Sequence, residues 1–196
     1  MNVLLADRIA PTPWRNGGGE TRELFVHPQG ADTHWCVRLS LADIRQDGPF
    51  SAFPGVTRHF AVLEGAGVVL TLNGRDHTLT PDSDPLTFDG ALAPACRLIN
   101  GPTRDLNLML QGDAQGALLR AEPEQAWHDP HPRRALFVSE PGVLLHASGE
   151  ALPLAARSLV TDLPSGPWRW LPSATGPAYW VAVAEPSLQS RWGGSR

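Results

Sequence analysis

The sequence predicts an all-β fold made of two small antiparallel jelly-roll barrels within one compact unit. Three observations indicate it. The 19 glycines and 19 prolines among 196 residues are spread along the whole chain, which is typical of many short strands joined by turns. Alternation of apolar and polar residues recurs, whereas helical periodicity is weak. The third observation is an internal repeat, which predicts that the barrel is duplicated.

The strands are indicated by alternation and by turn residues. Residues 35–41 alternate, and their polar face carries Cys36, Arg38 and Ser40. Side chains that alternate in this way point to opposite faces of a strand. Residues 58–64 and 67–72 are apolar and rich in β-branched residues, and Asn73-Gly74 then gives a strong hairpin signal.

The repeat relates the two halves of the chain. Four matches occur in order at an offset of 75 or 76 residues, namely Arg58 with Arg134, Gly67 with Gly142, Gly74 with Gly149, and Gly101-Pro102 with Gly176-Pro177. A period this long indicates a duplicated barrel rather than a solenoid. We therefore expect an N-terminal barrel over residues 1–115 and a diverged C-terminal barrel over residues 116–196, joined without a flexible linker.

Charge and hydropathy exclude several classes of function. The net charge is −4 and no stretch approaches 18 apolar residues, so we expect neither a nucleic-acid partner nor a membrane. The first residues lack the apolar core of a signal peptide, which makes the cytoplasm the expected location. All basic residues are arginines, and a chain without lysine has no Schiff-base or P-loop lysine.

The two cysteines, Cys36 and Cys96, are not arranged as a CxxC motif. Two interpretations are open: small buried thiols in a reduced compartment, or a disulfide. The sequence favours the buried thiols, because a chain of this length builds a sufficient core without covalent cross-links.

The two halves have diverged unequally in their last strands. Asp105 and Asn107 are two residues apart and share one face of a strand, whereas the matching positions at an offset of 75 are Trp180 and Ala182. If that face points into the barrel, the acid and the amide both need partners, because a buried polar group without one is costly. The alternative is a solvent-exposed face. The asymmetry indicates that the N-terminal barrel is the functional one.

Two further segments have unusual composition. Residues 14–21, WRNGGGET, contain three consecutive glycines, which let a main chain approach a ligand closely or simply form a flexible turn. The segment lacks the Gly-Lys-Ser/Thr of a P-loop. Residues 47–55, DGPFSAFPG, form rigid turns, and Phe50 and Phe53 are expected as core or lid residues more than as ligand contacts.

Motifs for metal binding or nucleophilic catalysis are weak. The HxxH pair of His128 and His131 lies among prolines rather than on a helix, so we expect no metal there. The chain has no GxSxG, and neither cysteine has a basic partner in its sequence motif. The sequence therefore gives no candidate catalytic residue.

Five segments together closely resemble the HutD/Ves family: WRNGGGETREL (14–24), WCVRLSLADI (35–44), DGPFSAFPGVTRHFAVLEG (47–65), FDG (88–90) and DLNLML (105–110). Their combination and order are far more specific than any one of them. The resemblance implies a double-stranded β-helix, that is, a duplicated, RmlC-like cupin. Family members are associated with histidine utilisation or with stress response, and small formylated or formimino-glutamate-like acids are candidate ligands.

The same resemblance argues against a metal or other cofactor. Residues 60–74, FAVLEGAGVVLTLNG, resemble the first cupin motif, and the position of its metal-binding glutamate falls on Arg58. No HxH precedes it, and a cation cannot replace a carboxylate ligand. We therefore expect no cofactor and no metal site.

The family motifs put six residues forward as ligand-binding: Asn16, Thr21, Glu23, Arg58, Asp105 and Asn107. Arg58 would anchor a small carboxylate, Asp105 would orient Arg58 or accept from an amide, and the two asparagines would donate and accept hydrogen bonds. The alternative is a structural Arg58–Asp105 ion pair without a ligand. The matching Arg134 favours that alternative, because the second half has this arginine but lacks the other polar groups.

Three functions remain open at this point. The leading one is a small-molecule-binding cupin with an accessory or regulatory role in amino-acid catabolism. The second is a metal-independent isomerase or hydrolase that uses an acid–base pair such as His59 and Asp105, and the balance is against an enzyme because the two positions have opposite strand parity. The third is a protein-interaction module with an empty barrel. A homodimer is compatible with all three.

Overall fold

The computed structural model describes residues 1–28 and 35–185, and these residues form nineteen strands and two single turns of 3₁₀ helix. The described chain contains no helix long and apolar enough to cross a bilayer. The strands of the first half are β1 (Asn2–Leu5), β2 (Thr12–Pro13), β3 (Gly19–His27), β4 (Val37–Ile44), β5 (Gly48–Pro49), β6 (Val56–Glu64), β7 (Val68–Leu72), β8 (Arg75–Leu79), β9 (Leu86–Asp89), β10 (Ala95–Leu98) and β11 (Thr103–Gln111). Those of the second half are β12 (Gln115–Arg120), β13 (Ala126–Trp127), β14 (Arg133–Val138), β15 (Gly142–His146), β16 (Ala151–Leu154), β17 (Ser158–Thr161), β18 (Trp168–Pro172) and β19 (Ala178–Ala184).

The strands form four antiparallel sheets, two to each barrel. The N-terminal barrel consists of a six-stranded sheet, β2-β3-β4-β11-β6-β9, and a four-stranded sheet, β5-β10-β7-β8. The C-terminal barrel consists of β1-β17-β14-β19-β12 and β13-β18-β15-β16. The order β4-β11-β6-β9 in the first barrel is repeated as β12-β19-β14-β17 in the second, and the four-stranded sheets correspond strand for strand. The predicted duplicated jelly roll is therefore confirmed.

One strand from the start of the sequence belongs to the C-terminal barrel rather than to the N-terminal one. The chain passes from the N-terminal to the C-terminal barrel between β11, which ends at Gln111, and β12, which begins at Gln115. However, β1 pairs with β17, from Asn2 opposite Thr161 to Leu5 opposite Ser158. Residues 2–5 therefore belong to the C-terminal barrel, where they cover an edge of its larger sheet.

The larger sheets of the two barrels pack against each other. Their shared core contains Leu106 and Leu108 of β11 together with Phe137 of β14 and Tyr179 of β19, all of them fully buried. Because side chains alternate along a strand, the intervening residues of β11 point into the N-terminal barrel. This alternation places Asp105, Asn107 and Met109 on the inner face.

The interior of the C-terminal barrel is filled by tryptophans. Trp168, Trp170 and Trp180 are each at most 2% exposed and belong to one apolar cluster. Trp127 stacks on Trp180, with 4.5 Å between ring centroids and 2° between ring planes. Such large side chains leave little room for a ligand in this barrel.

The strand pairing shifts the residues of the second copy that correspond to Asp105 and Asn107 by two positions from those predicted. Asn107 lies opposite Phe60, and Trp180 lies opposite Leu136, the residue that matches Phe60 in the repeat. Trp180 is therefore the counterpart of Asn107 rather than of Asp105, whose counterpart is Ala178. Both last strands begin directly after the proline, but Asp105 is the third residue after Pro102 whereas its counterpart Ala178 is the first residue after Pro177. The counterparts still carry neither a charge nor an amide.

The cysteines form no disulfide with each other. Cys96 is buried in the N-terminal barrel, where burial and the nearby Asp105 and Asp47 raise the pKa of its thiol to about 12. Cys36 lies at the interface between the barrels, and its Sγ donates to the carbonyl oxygen of His27 at 3.3 Å. The sequence leaves a disulfide and a pair of thiols open, and in the structure both cysteines are thiols.

Candidate functional site

The N-terminal barrel contains a cavity of about 580 Å³. It lies on the inner face of the six-stranded sheet, below the turn between β2 and β3 and the loop that follows β5. The side chains of its wall that carry charge, hydrogen-bonding groups or rings are Thr12, Trp14, Arg15, Asn16, Thr21, Glu23, Arg38, Ser40, Phe50, Ser51, Phe53, Arg58 and Asn107. A volume of this size accommodates a small organic ligand.

The structure brings five of the six predicted site residues together at this cavity. These five are Asn16, Thr21, Glu23, Arg58 and Asn107. The sixth, Asp105, does not line it. Asp105 lies opposite Val62 on β6, farther along the barrel than Arg58, which lies opposite Met109.

Arg58 is a buried cation that has no carboxylate partner among the described residues. Its side chain is on β6, the residue is only 6% exposed, and its Nη2 donates to Oδ1 of Asn107 at 2.8 Å. Its Nε and Nη1 are buried without a hydrogen-bond partner in the described part of the chain. Burial, together with the charge of Arg38, lowers the pKa of Arg58 to about 10, so the guanidinium is protonated at neutral pH.

Aromatic rings surround the Arg58 guanidinium. Its Cζ lies 4.8 Å from the ring centroid of Phe50, 5.2 Å from that of Phe88 and 5.8 Å from that of Phe53. A cation over an aromatic face is attracted by the ring quadrupole, but a ring supplies no hydrogen-bond acceptor in the guanidinium plane. The loop that carries Phe50 and Phe53 is anchored by backbone hydrogen bonds to Pro94 and Gly90.

Asp105 does not contact Arg58, so the structure shows neither the predicted orienting contact nor the alternative ion pair. Its Oδ2 accepts from Oγ1 of Thr103 at 2.9 Å, whereas its Oδ1 is buried without a partner in the described residues. The residue is 0% exposed. Burial raises the pKa of Asp105 well above its usual range, and the charge of Asp43 adds to the effect, although the Thr103 hydrogen bond opposes it. The barrel interior therefore favours the protonated form of the Asp105 carboxyl.

Arg38 is a site residue that was missed at the sequence level. It lies on β4 and lines the cavity, and its Nε donates to Oε2 of Glu23 at 2.9 Å. Arg38 and Arg58 both lie opposite Met109, one on each side of it. The signal was present in the alternation of residues 35–41, which places Arg38 and Ser40 together on the polar face.

The glycine-rich turn forms the rim of the cavity. Trp14 Nε1 donates to Oγ1 of Thr21 at 2.7 Å, and the amide of Gly18 donates to Oδ1 of Asn16 at 3.0 Å. A Cβ added to Gly19 would lie 2.3 Å from the carbonyl oxygen of Asp43 and 3.1 Å from the Trp14 ring. Glycine is required at this position because the main chain of β3 packs closely against β4.

We expect Gly19→Ala to destabilise the protein by about 1–3 kcal/mol, the usual range for overpacking a tight site. The matched control is Gly48→Ala, since a Cβ added to Gly48 meets no atom within 4 Å. Urea unfolding of both variants measures the difference. Equal stabilities of the two variants would show that the turn adapts without cost.

The position of His59 does not support the acid–base pair considered above. His59 lies opposite Leu108, whose side chain is in the core between the barrels, so it is on the face of β6 opposite to Arg58 and to the interior that holds Asp105. Its Nδ1 is 2.9 Å from Oγ1 of Thr87, and burial lowers the pKa of His59. His59 and Asp105 cannot reach one substrate atom from opposite faces of a sheet.

The residues present do not fit the metal site of the first cupin motif. Arg58 occupies the position of the metal-binding glutamate, and the described residues contain no group of three or more His, Cys, Asp or Glu side chains that could hold a metal ion. In the HxxH segment, the Nδ1 of His131 contacts Oδ1 of Asp129 at 2.6 Å.

Comparison with protein families and curated proteins gives consistent matches. A family model described as HutD matches residues 6–161. An uncharacterised 21.2 kDa protein in the hutC 3′ region of Pseudomonas putida is 35% identical over 148 residues, which cover 76% of this chain and 74% of that protein. The protein Ves of Citrobacter koseri is 43% identical over 110 residues, covering 55% of this chain and 56% of Ves, so the match spans about half of that relative.

Solved structures show the same architecture. HutD from Pseudomonas fluorescens SBW25 superposes with a TM-score of 0.79 at 28% identity, covering 94% of this chain and 99% of that one. A conserved protein of unknown function from Pseudomonas aeruginosa PAO1 gives 0.80 at 28% identity, covering 94% and 98%. The Escherichia coli protein YlbA gives 0.67 at 11% identity over 95% and 91%, a likeness of fold alone.

Proposed function

Because this chain belongs to the HutD/Ves family of cupin-like proteins, we propose that it binds a small carboxylate in the N-terminal barrel and has an accessory or regulatory role in histidine utilisation or stress response. The observation that carries the proposal is Arg58, a buried guanidinium that lines the cavity and has no carboxylate partner among the described residues. The ligand would supply the missing anion.

The energetics of burial support an anion at this position. Taking a charged group out of water costs several kcal/mol, which a partner of opposite charge offsets. Asn107 and the phenyl rings stabilise Arg58 only in part, because two of its three nitrogens have no acceptor in the described structure. A carboxylate has two acceptor oxygens in a plane and matches the fork of a guanidinium.

The second barrel provides an internal comparison. The matching Arg134 donates from its Nε to the carbonyl oxygen of Leu163 at 3.2 Å, and from Nη1 to the carbonyl oxygen of His131. In that barrel Trp180 occupies the place of Asn107. Both copies therefore carry an arginine at this position, and only Arg58 lines the cavity of about 580 Å³.

Isothermal titration calorimetry tests the proposal, with urocanate, N-formylglutamate and histidine as ligands. We expect Arg58→Met to weaken binding about 10- to 100-fold, the usual loss for a hydrogen-bonded charged partner. Arg134→Met is the matched control, because it makes the same change outside the cavity, and it should retain wild-type affinity. Circular dichroism of both variants establishes that they fold.

Two results would contradict the proposal. If the wild-type protein and folded Arg58→Met bound an acid with equal affinity, Arg58 would not be part of the binding site. If the titrations detected no binding of any carboxylate, the binding function would be refuted and an interaction module would be favoured. Turnover of a ligand, followed by chromatography of the titrated samples, would instead identify an enzyme.

A further inference from the structure

The larger sheets of the two barrels differ at one edge. In the N-terminal barrel every residue of β4 is paired with β3, from Ile44 opposite Gly19 to Val37 opposite His27. The counterpart of β4 in the C-terminal barrel is β12 (Gln115–Arg120), which pairs with β19 on one side and, within the described chain, with no strand on the other. The second copy therefore leaves open an edge that the first copy closes with a strand.

A hydrogen bond just beyond β12 shows which of its backbone groups are free. The amide of Ala121 donates to the carbonyl oxygen of Ala178 at 2.8 Å, in the same register as the β12–β19 pairing. In an antiparallel pair the residues that bond to the neighbouring strand alternate with residues that do not. The amides and carbonyls of Gly116, Leu118 and Arg120 therefore point outward, and no backbone hydrogen bond to another described residue satisfies them.

β12 lacks the features that usually protect an open edge. Its six residues include neither proline nor lysine, and its pairing with β19 has no bulge. Its charged residue, Arg120, is at the end of the strand, where Nη1 donates to the carbonyl oxygens of Pro81 and Ser83. Leu119 is 42% exposed. A strand edge without such protection is a template for pairing with another strand.

We propose that β12 pairs with β12 of a second copy of this chain, antiparallel about a two-fold axis at Leu118, so that the two sheets become one. Leu118 then lies opposite the partner's Leu118, and Gly116 lies opposite the partner's Arg120. These pairs supply about six hydrogen bonds between the chains. This register pairs all the outward groups of β12, whereas any other antiparallel register leaves some of them unpaired.

The side chains of β12 complement themselves in this register, which favours a second copy over an unrelated strand. The exposed Leu119 lies opposite the partner's Ala117, and the two-fold axis makes this apolar contact twice. Arg120 lies opposite Gly116, which has no side chain, so no like charges face each other. Two-fold dimers of this isologous kind are the commonest symmetric oligomers.

Sedimentation equilibrium of the full-length protein tests the proposal. A seam of one short strand buries little surface, so we expect a dimer in equilibrium with the monomer. Leu119→Glu should raise the dissociation constant at least about tenfold, because it places an unpaired carboxylate against the partner's Ala117. Ala117→Arg/Leu119→Glu should restore the dimer, because the introduced acid of each chain then faces the introduced base of the other.

Val3→Glu is the matched control. Val3 is 50% exposed and lies on β1, at the opposite edge of the same sheet, so the same change is made where no contact is proposed. It should keep the wild-type dissociation constant. Circular dichroism establishes that each variant folds.

Hydrogen exchange of the wild-type protein tests the interface without any substitution. The amides of Gly116, Leu118 and Arg120 should exchange more slowly at concentrations where the dimer forms than at concentrations where it dissociates. The amides of β1 should exchange equally at both concentrations.

Four results would overturn the proposal. These are a wild-type protein that stays monomeric at all concentrations, a dimer that Val3→Glu dissociates and Leu119→Glu does not, a folded double variant that remains monomeric, and β12 amides whose exchange does not depend on concentration. None of them bears on the proposed binding function, because β12 contributes no residue to the cavity.

Discussion

Trp180→Ala is expected to lower the free energy of unfolding by about 3–5 kcal/mol, the range observed when a buried aromatic side chain is truncated to alanine. Trp180 is 2% exposed and belongs to the core of the C-terminal barrel. Its ring stacks on Trp127, and such an aromatic pair adds about 0.5–1.5 kcal/mol beyond the burial of area. Trp168 and Trp170 are buried in the same cluster, and a core that relaxes only in part keeps a cavity at the truncated position.

Urea unfolding of the wild-type protein, Trp180→Ala, Trp127→Ala and the double variant measures this effect. Trp127 is partly exposed, so its truncation should cost less than that of Trp180. The double variant should be more stable than the sum of the single effects predicts, because the stacking energy is lost only once. A loss below about 1.5 kcal/mol for Trp180→Ala would show that the barrel collapses around the vacancy.

The second prediction with a large effect is that Asp105→Asn stabilises the protein increasingly as the pH rises. In the native protein the raised pKa keeps Asp105 protonated at pH values where the unfolded chain has already released that proton. Unfolding then releases a proton, so the wild-type stability falls with increasing pH, by about 1.4 kcal/mol per pH unit over that interval. The interval begins near the ordinary aspartate pKa of 3.8 and ends at the raised native pKa. The amide of the variant has no proton to lose.

Urea unfolding between pH 4.5 and pH 8 tests this prediction through the difference in stability between variant and wild type. Asp43→Asn is an informative control. Burial acts to raise the pKa of Asp43, but hydrogen bonds from Arg104 and Arg22 outweigh it and lower the pKa. The stability contributed by Asp43 is therefore complete above the ordinary aspartate pKa, and its loss should be constant over this range. A pH-independent difference for Asp105→Asn would mean that Asp105 is ionised in the native state.

The architecture could be predicted because the turn residues of the two halves match. Glycines and Gly-Pro pairs at matching positions recur wherever the chain reverses, since few other residues adopt those conformations. The pairing of β1 with β17 could not be predicted. Residues 2–5 are too short a segment to indicate which of the two larger sheets they pair with. The choice depends on which sheet has an edge strand available for pairing, and therefore on where the other strands end.

The site was predictable in composition but not in its contacts. Strand parity put Asp105 and Asn107 on one face, and the family motifs added Arg58 and the residues of the rim. The alternation of side chains along a strand does not show how far along the barrel a residue lies. The sequence therefore predicts Asp105 beside Arg58, whereas in the structure Asp105 lies beyond Asn107. The Arg38–Glu23 pair joins two strands across a register shift between Glu23 and Phe25, which sequence spacing does not show.

The pairing of β1 with β17 has a consequence for when β1 can join its sheet during synthesis. Asn2–Leu5 hydrogen-bond to Ser158–Thr161, so a strand that is made before the N-terminal barrel pairs with residues that are made after it. Synthesis proceeds at about 5–20 residues per second, so the N-terminal barrel has its complete sequence well before the partner of β1 exists. β1 therefore cannot take its place in the sheet until β17 has been made, although the strands that follow it in sequence can already pair with one another.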